Sequence, residues 1–429
     1  MRYVPLLLFL FSLVTGCSPT RRINRAIRQS PVLNNHLVGV SIYDPVRRKL
    51  VVQRHADQPF TPASNTKLFS FYAGLTLLSD TLPALRYVVR GDSLICWGTG
   101  NPLLLHPDGP DTAALAFLRR RPERLFFSAA NYTGERFGPG WAWDDYNDPY
   151  SPEIAPLPLY GHIVRFTAPD RAPIFDVRPD FFADSVVRST HPTVPASMQR
   201  DEHRNRFVRP AATRVFRQDV PFRTSPRLTV QLLTDTLHRP VTLLNRPLDP
   251  SAGVVFGHVP ADSLYKRMLV ESDNLLADHL LLLSADRLLN GRLDPRPVIR
   301  TVANSLPDSL RNSRWVDGSG LSRYNLFTPN ELIGLLRAIA ARVPQERLFA
   351  LLPVGGRSGT LRGLPGSDKP FIFAKSGSMS GVYNLSGYLV TRRGRVLLFS
   401  VMNNNFTGSV AAVRQATGAL LRDVHDWYR

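Results

Sequence analysis

Cysteine is nearly absent from this sequence, with two in 429 residues. Cys17 ends an N-terminal apolar segment, and Cys96 lies in the apolar run Leu94-Ile95-Cys96-Trp97. Two such cysteines supply no disulfide framework, and Cys96 reads as a small buried hydrophobe. A membrane-spanning run is also lacking at the N-terminus. The apolar stretch at residues 3–16 falls short of the ~18–20 residues a helix needs to cross a bilayer. His-Glu-x-x-His, Gly-x-Ser-x-Gly and a phosphate-binding Gly-rich loop do not occur, which argues against zinc-peptidase, α/β-hydrolase and P-loop chemistry. The histidines are scattered, none is assigned to catalysis, and no metal or cofactor is expected. Acidic residues are few: 34 Asp and Glu face 53 Lys and Arg, for a formal net charge of +19.

That charge would ordinarily suggest nucleic acid. No nucleic-acid motif accompanies it, and the N-terminus reads as an export signal, so no nucleic-acid partner is expected. Envelope phosphates and acidic glycan–peptide polymers are the expected counterparts; a lineage bias toward Arg on a solvated surface is the plain alternative. Arg2 supplies a positive n-region and residues 3–16 an h-region. The run ends in Val14-Thr15-Gly16-Cys17, which resembles a bacterial lipobox. Residues 1–17 are therefore expected to be a lipoprotein signal whose Cys17 is lipidated, leaving the chain tethered to a membrane without spanning it. An ordinary signal peptide with a chance cysteine is the alternative. Residues 18–36 would then be a tether, polar and basic at its start. No acidic residue follows Cys17 directly, so by resemblance to lipoprotein sorting the expected location is the periplasm, at the outer membrane.

The remaining ~410 residues suit two domains. Residues 37–54 read as two strands turning at Asp44-Pro45, and residues 386–406 as a hairpin turning at Arg392–Gly394. Val413, Ala416, Leu420, Val424 and Trp427 recur at helical spacing, which predicts a closing amphipathic helix over 410–427. Residues 68–78 predict a buried helix with Ser64 at its N-terminal end. Between about 90 and 240, proline is frequent and helical periodicity is lost. The expected organisation is one domain formed by 37–90 and 241–429, interrupted by a mainly β insert at 91–240.

Three short motifs carry the chemistry. Ser64-Asn-Thr-Lys67 puts a Ser and a Lys on one face of a helix, one turn apart. A serine hydroxyl needs a neighbouring base, and a lysine can serve only if burial or nearby cations lower its pKa. Ser272-Asp-Asn274 offers a hydroxyl to relay a proton and an amide to hold both the Lys and a substrate amide, with Asp273 turned away to stabilise the loop. Lys375-Ser-Gly377 follows an apolar stretch and should lie on a strand beside the site. Lys375 would be the neighbouring cation. Together with the hydroxyls of Ser376 and Ser378 it would bind a carboxylate, while Gly377 would let a substrate backbone approach closely. The backbone N–H groups of Ser64 and Ser378 are the expected oxyanion donors. Taken singly, the motifs read more plainly as an N-cap with a solvated Lys, a helix cap and a strand end; the ordered trio is what points to one mechanism.

In that order and spacing, with a domain-sized stretch between Ser64 and Ser272, the chain resembles the D-alanyl-D-alanine carboxypeptidase/endopeptidase family, the low-molecular-mass class C penicillin-binding proteins. Further resemblance lies in Gly98–Leu104, Gly138–Asp145, Asp317–Asn325, Gly359–Leu361 and Gly381–Tyr388. The resemblance implies an α/β (α+β) penicillin-binding, β-lactamase-like fold: a five-stranded antiparallel sheet flanked by helices, built from both chain ends. It implies Ser64 as nucleophile, Lys67 as general base, and Ser272 and Asn274 as relay and substrate-orienting groups. Lys375, Ser376, Gly377 and Ser378 fall at its substrate-binding positions. Ser376 stands where the family usually has Thr, Asn101 where it often has Asp, and Ser358 likewise departs. The expected function is serine-type D-Ala-D-Ala carboxypeptidase action, with DD-endopeptidase action besides, on peptidoglycan stem peptides, with β-lactams as inhibitors. A serine β-lactamase and a non-catalytic peptidoglycan-binding lipoprotein are the alternatives.

Overall fold

The computed structural model describes residues 18–168, 176–188, 197–209, 216–306 and 313–428. Cys17 and the signal segment lie outside these residues. From the N-terminus the chain forms α1 (Pro19–Gln29), the hairpin β1 (Leu37–Asp44) and β2 (Lys49–Arg54), a 3-10 turn at Ala63–Thr66, and α2 (Lys67–Leu77). A second unit follows. It holds β3 (Thr81–Arg90), β4 (Ser93–Gly98), α3 (Ala113–Arg119) and β5 (Arg124–Ser128). Six shorter strands continue it: β6 (Ile163–Ala168), β7 (Asp176–Arg178), β8 (Val186–Arg188), β9 (Gln199–Arg200), β10 (Phe207–Arg209) and β11 (Phe216–Pro221). It closes with α4 (Pro226–Leu237), β12 (Val241–Leu244) and β13 (Gly253–Pro260). Then come α5 (Ala261–Val270), α6 (Asn274–Leu288), α7 (Pro295–Ser305), α8 (Pro329–Ala340) and α9 (Gln345–Leu351). The chain ends with β14 (Ile372–Met379), β15 (Val382–Val390), β16 (Val396–Asn404) and α10 (Val410–Trp427).

The first sheet has the order β14-β15-β16-β1-β2 and is antiparallel throughout, so both chain ends build it. β1, β15 and β16 are buried along almost their whole length on both faces, which is why β1 does not alternate apolar with polar residues. Val38, Val40 and Ile42 of β1 pack with Val413, Leu420, Leu421 and Val424 of α10 and with Ile23 and Ile27 of α1. On the other face Tyr43, Leu398 and Met402 meet α2, α6 and α8, with Phe69 stacked on Phe327 at 4.2 Å. Each such large apolar side chain contributes about 1.5–3 kcal/mol when fully buried. The start of α8 is fixed by a reciprocal cap between Thr328 and Glu331, with Pro329 in its first turn.

Two expectations need correction. The segment expected as a tether contains α1, capped by Ser18 and opened by Pro19. Ile23 and Ile27 lie four residues apart and form a buried stripe, which four arginines around them conceal in the sequence. The insert is also larger than 91–240. Its five-stranded sheet, ordered β12-β5-β4-β3-β13, runs from Thr81 to Pro260. β3 and β4 pair down to Arg90↔Ser93, so a boundary at residue 90 would cut a hairpin at its turn, and β13 pairs back on β3. The remaining short strands form two three-stranded sheets, β8-β10-β9 and β11-β6-β7.

The two units are tied at several points. Arg86 on β3 clasps Asp286 at the far end of α6 (2.7 Å). Asp108 of the insert gathers Arg165 at 2.8 Å, Arg217 at 3.1 Å and Arg267 of α5 at 3.0 Å. Arg267 also reaches Asp273 (3.4 Å), so this network ends beside Ser272.

Candidate active site

Ser64 lies in the 3-10 turn directly before α2, and Lys67 opens that helix. Ala63 has φ +47°, a left-handed conformation that costs a non-glycine residue energy and turns the chain sharply into the nucleophile. Lys67 is fully buried, and its Nζ donates to Ser64 Oγ (2.9 Å), to the Ser319 carbonyl (2.8 Å) and, by a short contact, to Asn274 Oδ1. Two of these acceptors are carbonyls that can take the two N–H bonds of a neutral amine. Its lone pair is then directed at the Ser64 hydroxyl, the arrangement a general base requires. Burial brings the Lys67 pKa down to about 8, against the opposing charges of Asp278, Asp317 and Asp273.

Ser272 and Asn274 arrive together where α5 gives way to α6. Ser272 takes φ +61°. Asp273 caps α6 by accepting from the Leu276 N–H (3.2 Å), which turns it away from the cleft. Asn274 faces Lys67 with its oxygen. Its Nδ2 donates to the Tyr150 carbonyl of the insert (2.7 Å) rather than standing free for a substrate amide. Lys375, on edge strand β14, is likewise fully buried, and its Nζ donates to Ser272 Oγ (2.9 Å) and to the Ser376 carbonyl (2.7 Å). Burial, then the charge of Lys67, push its pKa well below the ordinary lysine value. It therefore reaches the Ser272 hydroxyl from beneath β14.

Ser376 points to the opposite side of β14, where its hydroxyl donates to Thr360 Oγ1 (2.7 Å). Gly377 serves a purpose other than the one expected. A Cβ there would stand 2.4 Å from the Pro62 carbonyl and 2.9 Å from the Ser64 nitrogen, so the glycine lets β14 press against the nucleophile's own backbone. Along β14, Ile372 and Ala374 direct their outer backbone groups to Gly355 (2.9 Å) and Pro353 (3.2 Å). By strand alternation the N–H groups of Ser376 and Ser378 face outward from β14, toward the cleft that Ser64 and Ser378 both line.

The sequence reading left several contributors without roles. Asp278, buried on α6 four residues after Asn274, accepts from the N–H groups of Gly318 (2.6 Å) and Ser319 (3.1 Å) and so positions the carbonyl that holds Lys67. Burial, and then the charge of Asp317, raise its pKa well above the usual carboxylate range. Asp317 folds the following loop by accepting from Gly320 N–H (2.8 Å), Ser322 N–H (2.7 Å) and the Trp141 indole (3.0 Å). Gly320, at φ +85°, lets this loop approach Ala63, where a Cβ would lie 2.0 Å from the carbonyl. The i, i+4 spacing from Asn274 was the available signal for Asp278. Ser64, Ser272, Asn274, Ser376 and Ser378 together line a cleft of about 710 Å³, whose far wall includes Asp144, Asp145 and Tyr150 of the insert. A second cavity of about 530 Å³, between β5 and α4, holds none of the motif residues.

The profile of the D-Ala-D-Ala carboxypeptidase 3 (S13) family matches residues 20–423. D-alanyl-D-alanine carboxypeptidase DacB of Haemophilus influenzae is 31% identical over 160 residues, which span 34% of this chain and 32% of that protein. The D-alanyl-D-alanine carboxypeptidase of Actinomadura sp. (strain R39) is 27% identical, covering 93% of this chain and 83% of the relative. Among solved structures, penicillin binding protein 4 (dacB) from Haemophilus influenzae superimposes with a TM-score of 0.74 at 19% identity, over 95% of this chain and 100% of that one. That likeness shows the penicillin-binding fold expected from the sequence. The family match spans both units and all three motifs, and this chain belongs to the D-Ala-D-Ala carboxypeptidase 3 (S13) family.

Proposed function

We propose that this chain is a serine-type D-Ala-D-Ala carboxypeptidase acting on peptidoglycan stem peptides through an acyl-enzyme on Ser64, with DD-endopeptidase cleavage of D-alanyl cross-links as a second use of the same cleft. The observation that carries this reading is the buried Lys67 Nζ, 2.9 Å from Ser64 Oγ, with carbonyl oxygens on its other sides. Neutral Lys67 takes the proton as Ser64 Oγ bonds to the penultimate D-Ala carbonyl carbon. The N–H groups of Ser64 and Ser378 hold the developing oxyanion. Collapse breaks the C–N bond, the Ser272 hydroxyl gives its proton to the leaving amine, and Lys375 resupplies Ser272 along their 2.9 Å contact. Water then hydrolyses the ester: its hydroxyl bonds to the acyl carbon and its other proton restores Lys375, while Lys67 returns the proton it took to the Ser64 oxygen as the C–O bond breaks. A β-lactam amide enters by the same attack and becomes a covalent inhibitor.

Intact-mass analysis and peptide mapping after incubation with a fluorescent penicillin should place one adduct on the segment containing Ser64. Lys67→Ala should slow its formation by about 10²–10⁴ while changing reversible binding far less. An adduct on another segment, or unchanged acylation in Lys67→Ala, contradicts this mechanism.

Ser376 and Ser378 are proposed to hold the substrate's terminal carboxylate, with Thr360 fixing the Ser376 hydroxyl and Lys375 lending charge from beneath. Ser376→Thr keeps the hydroxyl and should be nearly neutral. Ser376→Val keeps the shape and should cost roughly 10- to 150-fold in kcat/KM on acid-terminated peptides, and much less on C-terminally amidated ones. Equal losses on both substrates would make Ser376 a purely structural residue.

The chain is further proposed to reside in the periplasm, anchored to the outer membrane through lipidated Cys17; the run Val14–Cys17 supports this reading. A fatty-acid probe should label the wild type and not Cys17→Ala, and equal labelling of the two would remove the anchor.

A further inference from the structure

Four segments converge at one end of the first sheet. β1 and β16 pair as far as Tyr43↔Leu398, and β15 and β16 as far as Val390↔Val396, so the turns at 45–48 and 391–395 leave the sheet together. The C-terminus of α10 joins them: Tyr428 Oη donates to Asp44 (2.8 Å), and the Arg392 N–H donates to the His425 carbonyl (3.0 Å). The N-terminus of α1 lies along β2 and leads to this end: the Gln53 N–H donates to Thr20 Oγ1 (3.4 Å), and the Arg22 guanidinium stands 5.0 Å over the Trp427 ring. From this point α1 runs toward the other end of the sheet, where His36 meets Asn403 (3.1 Å).

This end and the flank of α1 that leads to it are basic and partly apolar. Arg21, Arg22, Arg25, Arg48, Lys49 and Arg393 are exposed, and none has a carboxylate partner among the described residues. The exposed acids of α10 here are Asp423 and Asp426, and Asp426 is taken by Arg392 (2.8 Å). Among these cations Val46 is 74% exposed and Leu50 40%. Long cationic side chains around protruding apolar ones suit the boundary between lipid phosphates and acyl chains. The active site is placed far from this end. Ser376 and Ser378 stand level with Val40 and Val38 of β1, about 17–23 Å along the strands from Pro45 at ~3.3 Å per residue. They also lie on β14, the edge strand opposite β2 and α1.

We propose that this end of the sheet is a docking face for the phosphate headgroups of an anionic phospholipid bilayer, which holds the catalytic cleft facing away from the membrane and toward the peptidoglycan. The proposal rests on the reading that the chain is membrane-anchored. Ser18 is the only residue between Cys17 and the start of α1, so an anchor at Cys17 would bring this face to the bilayer surface. Electrostatic attraction of exposed arginines to anionic headgroups is screened by salt within about 10 Å at 0.1 M.

The test uses the full protein reconstituted into phosphatidylcholine vesicles, with and without about one-third phosphatidylglycerol. Flotation and amide hydrogen exchange are both measured. The proposal expects exchange in 19–25 and 44–50 to slow several-fold on the anionic vesicles, to recover in 0.5 M salt, and to lose the difference in R21E/R25E/R48E. The penicillin reaction of that variant should match wild type, which shows that it is folded. Flotation with both vesicle types but equal exchange would overturn the docking face and leave the anchor standing. Flotation on anionic vesicles alone would support the face without the anchor. Flotation with neither would overturn both. Protection of these segments by soluble peptidoglycan fragments but not by anionic vesicles would assign the face to the wall polymer and overturn the proposal.

Discussion

A lysine with no solvent exposure is the constraint on which the rest of this site depends. Taking an ammonium out of water costs several kcal/mol unless it is fully paired, and a group in that position sheds its proton more readily instead. Among the described residues no carboxylate touches Lys67. Its contacts are a hydroxyl and two carbonyl oxygens, which serve a neutral amine as well as an ammonium. The buried carboxylates Asp278 and Asp317 sit one step further out and limit how far its pKa falls. The result is a base poised close to working pH rather than one locked in either state.

Keeping Lys67 in place requires parts distant in the chain. The Ser319 carbonyl is aimed by Asp278 through two backbone bonds, and Ser70 of α2 ties the same loop through the Gly318 carbonyl (2.7 Å). Asn274 joins Lys67 on one side and the insert's Tyr150 on the other, and Trp141 of the insert donates to Asp317. The insert is thus part of the catalytic wall as well as a separate sheet. Lys375 illustrates a similar economy: hidden beneath β14, it donates to both the Ser272 hydroxyl and the Ser376 carbonyl.

Much of this was legible in the sequence, for local reasons. Ser64 and Lys67 are one helical turn apart, so their contact follows from covalent spacing. The hairpins at 37–54 and 386–406 and the helix at 410–427 announce themselves by turn residues and apolar period. What was hidden depends on long-range packing. Whether Lys375 or Ser376 faces the relay is a matter of which side of β14 each occupies, and only the docked sheet decides that. Gly377 looked like space for a substrate because its true neighbour, the Ser64 backbone, lies some 300 residues earlier in the chain. Asp278 was disguised as one polar residue in a helix buried nearly all round. The arginines of α1 masked an apolar stripe of two residues, and the insert boundary fell within a hairpin because it followed proline content and helical period, which do not show strand pairing.

The pH dependence of acylation tests the central claim, that buried Lys67 acts as a neutral base, most directly. The proton on Lys67 must leave before Ser64 can be activated, so the rate should rise with pH through an apparent pKa near 8 and level off above it. Asp278→Asn removes a negative charge that favours the ammonium, so its limb should move to lower pH. The second-order rate of penicillin acylation, followed from pH 6 to 10 in both proteins, gives the answer. A rate flat across this range, or a limb that moves upward in Asp278→Asn, would contradict the account.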